Sequence, residues 1–131
     1  MDVILSKEML NNIIDIIDNT LIKSDVNCTF LVDRSGNLIV SRGDPPHLDV
    51  LALAALTAAN FGATAEIANI IGEEDFSLLF HKGKEESVHI NKVGEGFILL
   101  TLFGNGVSLG IVRLKTSKAT ELLLPILYGK G

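Results

Sequence analysis

The chain has 131 residues, a formal net charge of -5, 47% apolar residues and one cysteine, with a mass of 14.1 kDa, a pI near 5.1 and a mean hydropathy of +0.40. This length suits a single domain over residues 1–131 with a core that needs no metal or disulfide staples, and the lone Cys28 excludes an internal disulfide and fits a reducing, cytoplasmic compartment. The acidic balance argues against nucleic-acid binding by phosphate neutralisation, and so apolar a chain with only 5% aromatics points to surface buried against another polypeptide.

A membrane span is not expected. The longest uncharged stretches, Val50 to Ala65 and Gly96 to Val112, stop short of the ~20 residues a span requires. The opening Met1-Asp2-Val3 lacks the basic start of a signal peptide.

From Ser6 to Ser24 the apolar residues Met9, Leu10, Ile13, Ile14, Ile16, Ile17 and Leu21 follow helical spacing, with Ser6 as N-cap. Val26, Cys28, Phe30 and Val32 alternate with polar neighbours as in a strand. Asp33 to Asn37 supplies a turn, and Leu38 to Ser41 the return strand. Asp44 and Pro45 are expected to cap and open a long helix from about Pro46 to Ile71, closed by Gly72. In it Leu48, Leu51, Leu56, Ile67, Ile70 and Ile71 carry most of the bulk available to pack on a sheet.

Three strands are expected next, Phe76 to Lys82, Ser87 to Lys92 and Phe97 to Phe103. A last helix runs from Val107 to Leu127, with Ile111, Leu114, Leu122 and Ile126 on one stripe. Strands joined by short turns around one long helix give an α/β layered fold: a five-stranded, mostly antiparallel sheet with helices on both faces, in the order α-β-β-α-β-β-β-α.

Chemistry-bearing groups are sparse. Gly104-Asn105-Gly106-Val107-Ser108-Leu109-Gly110 has a loosened dinucleotide-turn spacing, but it precedes only one helix, so a tight strand-to-helix corner is the plainer reading. A three-residue turn at Gly83-Lys84-Glu85 would oppose Phe80 to Val88 and Leu78 to Ile90. It would also put His81 and His89 on one face as diagonal neighbours roughly 7–8 Å apart. Two imidazoles without a third ligand make no zinc site. His47 shows no partner, Cys28 suits a buried inert thiol, and the acids Glu73, Glu74, Asp75, Glu85 and Glu86 suit solvated turns. No nucleophile, base and orienter combine, so neither catalytic residues, a cofactor nor a metal is expected.

The long helix says more. Ala55, Ala58 or Ala59, Gly62 and Glu66 recur at helical spacing and form a shallow face. A mid-helix glycine costs up to ~1 kcal/mol relative to alanine, and close approach of another backbone would explain Gly62. Plain helix propensity explains the alanines equally well. Phe76-Ser77-Leu78-Leu79-Phe80 lacks charge and proline, so on a free edge it would invite pairing. A homodimer joining these strands, with the long helices and Ala58 meeting above them, would cover it.

At this point the chain resembles the roadblock / dynein light-chain family from about Leu5 to Leu127. The resemblance rests on the element order and on three segments, Phe30 to Ile39, Leu53 to Ala59 and Asn105 to Arg113. It implies a dimer built on the middle strand and long helix, and a platform for Ras-like small GTPases, as in the MglB-type bacterial activators. There, small residues on the long helix admit the GTPase, which falls here on Ala55, Ala59, Gly62, Ala63 and Glu66. Such activators rearrange the GTPase's own catalytic groups. The sequence ends at Gly131, soon after the last helix, which leaves activation or simple docking open. The alternative is a small-molecule sensor of profilin-like or PAS-like architecture, which would require an enclosed pocket with convergent polar groups.

Overall fold

The computed structural model describes residues 5–24, 26–43, 49–73 and 78–129. Helix α1 (Lys7–Thr20) starts where the Ser6 side chain accepts from the Met9 N–H at 3.1 Å, and a short 3-10 turn (Ile22–Ser24) follows it. Strands β1 (Cys28–Asp33) and β2 (Leu38–Gly43) form a hairpin. Helix α2 (Val50–Ile71) precedes β3 (Leu78–Lys82), β4 (Glu86–Val93) and β5 (Phe97–Gly104), and α3 (Leu109–Leu127) closes the order. All neighbouring strands pair antiparallel in the order β2-β1-β5-β4-β3. β5 therefore returns to the middle of the sheet, and β3 lies at one edge.

Because side chains alternate across a strand, the sheet carries two cores. Leu31, Leu99, Val93 and Phe103 pack with Ile13, Ile17, Val112 and Leu123 beneath α1 and α3. Cys28, Phe30, Val32, Ile90 and Leu100 pack with Ala54 and Phe61 beneath α2. Cys28 is fully buried there.

The beginning of α2 differs from expectation. Asp49 caps it, accepting from the Ala52 N–H at 3.0 Å, so the first helical residue is Val50. Asp44, Pro45, Pro46 and His47 lie outside the described residues. Gly72 closes the helix at φ +84°, the left-handed conformation glycine adopts without a Cβ clash.

Two helix faces are rotated from the sequence reading. On α2 the residues that reach the sheet side are Ala54, Thr57, Phe61 and Ala68, whereas Leu51, Leu56, Ile67, Ile70 and Ile71 point to solvent. Leu48 is outside the described residues. On α3, Val112, Thr116, Ala119, Leu123 and Leu127 are buried, and Ile111, Leu114 and Leu122 are exposed. Small Thr116 and Ala119 allow α3 to lie close against its neighbours, and that close approach decides the face over bulk.

The β3–β4 register is also shifted by one. Lys82 pairs with Ser87 across four intervening residues, so Phe80 opposes His89 and His81 opposes Val88. A one-residue slip moves every side chain to the other face. His81 and His89 therefore stand on opposite sides of the sheet, and His89 is only 1% exposed.

Tyr128 locks the end of α3 to the β4–β5 turn. Its hydroxyl accepts from the Gly96 N–H at 2.7 Å and donates to the Val93 carbonyl at 3.1 Å, and its ring meets Phe97 edge-on. Tyr128→Phe keeps the ring but strips both partners, so it should cost about 1–3 kcal/mol. Urea unfolding checks this, and an unchanged midpoint would show that the hydroxyl is not anchoring the turn.

Candidate functional site

Among the described residues, the outward side of α2 leaves Leu51, Leu56, Ile67, Ile70 and Ile71 exposed. Helices apolar all round are normally enclosed, yet of its 22 residues only Ala54, Thr57, Phe61 and Ala68 are buried. At 3.6 residues per turn the exposed residues fall into two adjoining strips. One is a shallow groove of Ala55, Ala59, Gly62 and Glu66. The other is a ridge of Leu56, Ala63, Ile67 and Ile70. All five small-residue-face positions expected from the sequence (Ala55, Ala59, Gly62, Ala63 and Glu66) are exposed.

Each small residue has its own surroundings. A Cβ built on Gly62 would meet nothing within 4 Å, so no described backbone of this protomer requires glycine there. Ala55 is different. Asp33 accepts from the Ser35 and Asn37 N–H groups at 3.0 and 2.9 Å and shapes the β1–β2 turn. That turn presses Gly36, at φ +93°, toward α2, where a Cβ would lie 3.0 Å from the Ala55 Cα. The glycine thus permits both the turn and its seat against the helix.

Beside Gly62 a cleft of about 240 Å³ opens between α2 and the β4–β5 turn. Ala58, Phe61, Gly62 and Ala65 form its helical wall, and Phe97 and Ile98 belong to its sheet side. At its rim Arg34 donates to the Glu95 carbonyl at 3.0 Å, and Lys92 meets the Glu95 carboxylate at 3.3 Å. This charged rim was not anticipated, since Arg34 and Glu95 are far apart in sequence and only the β1–β5 pairing unites them.

Of the residues expected at a dimer contact, Leu78, Leu79 and Phe80 follow one another on the edge strand β3. Phe76 and Ser77 lie outside the described residues. Leu78 is 36% exposed on β3. Leu79 packs toward the α2 core, and Phe80 toward the other core, stacked on Phe103 at 6.2 Å. Ala58 packs against its own sheet and lines the cleft. Among the described residues no group of three His, Cys, Asp or Glu could hold a metal ion.

A second polar feature lies on the opposite face, under α3. His89 and Asn91 lie along one side of β4, and Arg113, Thr116, Ser117 and Thr120 recur along α3 above them. The periodicity of those four helix residues was available in the sequence but was masked by the more conspicuous apolar stripe.

Comparison with known proteins places this architecture. A model of the Roadblock/LC7 domain matches residues 15–103. The chain belongs to the Roadblock/LC7 family. MglB of Myxococcus xanthus is 35% identical, superposes with a TM-score of 0.90, and the match covers 96% of this chain and 95% of that one. The gliding protein MglB of Thermus thermophilus is 25% identical with a TM-score of 0.90, covering 98% and 97%. An MglB structure described as having a tetrameric arrangement is likewise 25% identical, at TM-score 0.91 over 98% and 96%. Acanthamoeba castellanii profilin II shares the fold at 17% identity, with a TM-score of 0.59 over 82% of this chain and 93% of that one. No curated protein sequence matches the chain.

Proposed function

We propose that the chain is a single roadblock domain over residues 1–131 that works as a cytoplasmic homodimer. In this reading it is a non-catalytic regulator or scaffold that docks a Ras-like small GTPase on α2. The observation that carries the reading is an all-round apolar helix buried along one side only. The likeness to MglB over nearly the whole chain supports it. So does the tetrameric arrangement of one MglB relative, which speaks for self-association.

The ridge of Leu56, Ile67 and Ile70 offers bulk for a second copy, and the groove of Ala55, Ala59, Gly62 and Glu66 offers close approach to the GTPase. Any stimulation of hydrolysis would come from reshaping the partner's own catalytic groups. α2 is long and apolar enough to cross a membrane by length and composition. Here its capped start and its packing on the sheet through Ala54 and Phe61 favour a protein-binding face over insertion. The small-molecule sensor reading gains no support from the MglB likeness.

Ala59→Arg and Gly62→Arg test the docking strip. Both positions are exposed, so the protomer should keep its circular dichroism while binding of the cognate GTPase drops by at least about a hundredfold. A buried charge and a steric block at an interface centre together have that size. Gly62→Ala is the companion: its added methyl meets no atom of the described residues and should stabilise the helix by up to about 1 kcal/mol. Undiminished capture of the GTPase by both arginine variants would remove the docking strip from α2.

A further inference from the structure

We propose that the groove between α3 and the β3–β4 hairpin holds an acidic segment of a protein partner, with a carboxylate on Arg113 and backbone amides on His89 and Asn91. The groove is an open depression of about 240 Å³ that lies across the sheet from α2, so it stands apart from the docking strip proposed above. Its long wall is one side of α3, where Arg113, Thr116, Ser117 and Thr120 recur at helical spacing. Seven residues of helix span about 10 Å, the length of roughly three extended residues.

The floor shows what the occupant must supply. His89 is 1% exposed, and neither Nδ1 nor Nε2 has a hydrogen-bond partner among the described residues. Asn91 donates through Nδ2 to the Thr120 hydroxyl at 2.9 Å and to the Lys92 carbonyl, leaving Oδ1 unpartnered. A neutral imidazole offers one donor and one acceptor, so one unpaired donor and two unpaired acceptors lie buried just beneath the groove floor. A peptide backbone alternates N–H and C=O groups and satisfies such a set. Burying these groups unpaired destabilises the fold, and a partner that pairs them recovers that cost on binding.

The charge selects the segment. Among the described residues Arg113 makes no ion pair, and Leu78 and Lys92 complete the described lining, in which no carboxylate stands. Arg113 stands near enough to His89 to help keep its ring neutral. A cation held beside a neutral hydrogen-bonding floor suits glutamate or aspartate, with a charge-assisted bond to the guanidinium.

The test uses the full chain, a fluorescein-labelled peptide of alternating glutamate and glycine, and its glutamine twin. Polarisation should show the glutamate peptide bound at least about tenfold more tightly than the twin, with affinity falling as salt rises. The ring resonances of His89 should move on titration while those of His81, on the opposite face, stay fixed. Arg113→Glu, at an exposed position, should keep native circular dichroism and erase the preference. Equal binding of the two peptides, an unmoved His89 ring, or inorganic phosphate displacing the peptide with the same ring shift would each overturn the proposal. The last outcome would identify a small-anion pocket.

Discussion

Between pH 6.5 and pH 4 the protein should lose up to about 3 kcal/mol of unfolding free energy through His89 alone, at 1.36 kcal/mol for each pH unit. Burial withholds the proton from this ring, the positive charge of Arg113 adds to the effect, and the pKa is pushed from 6.5 down to about 4. Above pH 6.5 the ring is neutral in both folded and unfolded chains and contributes nothing to the slope. Below that value the unfolded chain takes up a proton that the folded chain refuses, so stability falls with pH. Near pH 4 the folded ring also protonates, and the loss levels off. Asp18 works in a lower window. The Arg42 hydrogen bonds hold its carboxyl below the usual 3.8, so its contribution survives until the pH drops past that value. Urea unfolding at steps from neutral pH to pH 4 measures the slope, and His89→Leu should remove it. A variant as pH-sensitive as the parent would show that another group sets the acid limb.

His89 also shows where the sequence stops being informative. Its strand is evident from alternation, but its face depends on whether three or four residues separate the last paired positions of the β3–β4 turn. The tight approach of Gly83 to the Glu86 carbonyl belongs to the four-residue form, and no residue type in that stretch announces it. Element order, the N-cap at Ser6 and the C-terminal glycine of α2 were legible because each depends on local chemistry. The faces of α2 and α3 were not, for a different reason. When apolar residues occupy nearly every side of a helix, periodicity ceases to select one, and fit against the sheet decides. Phe61 and Ala54 win on α2, and Thr116 and Ala119 on α3. The β1–β2 turn was recognisable from Asp33 to Asn37, but its seat against Ala55 required the folded chain.

The same rotation of α2 sets up the second large effect. Leu56, Ile67 and Ile70 are 67%, 54% and 80% exposed, and they share one ridge beside the small-residue groove. If a second copy covers that ridge, each large side chain contributes about 1.5–3 kcal/mol on burial. A twofold axis repeats each contribution. Leu56→Glu combined with Ile70→Glu both removes this burial and places carboxylates where they would be desolvated. The dimer should weaken by at least about a thousandfold, equivalent to about 4 kcal/mol, and light scattering at micromolar concentration should give the 14.1 kDa protomer in place of twice that mass. Folding should survive, since neither residue touches the core beneath α2, and circular dichroism checks this. Ala59→Arg provides the contrast, because it lies in the groove and should impair GTPase docking while leaving the mass at the dimer value. If the ridge variant keeps the doubled mass, self-association belongs to the β3 edge near Leu78 rather than to α2. If the parent itself scatters as a protomer, the exposed ridge has no second copy to cover it, and the homodimer fails with it.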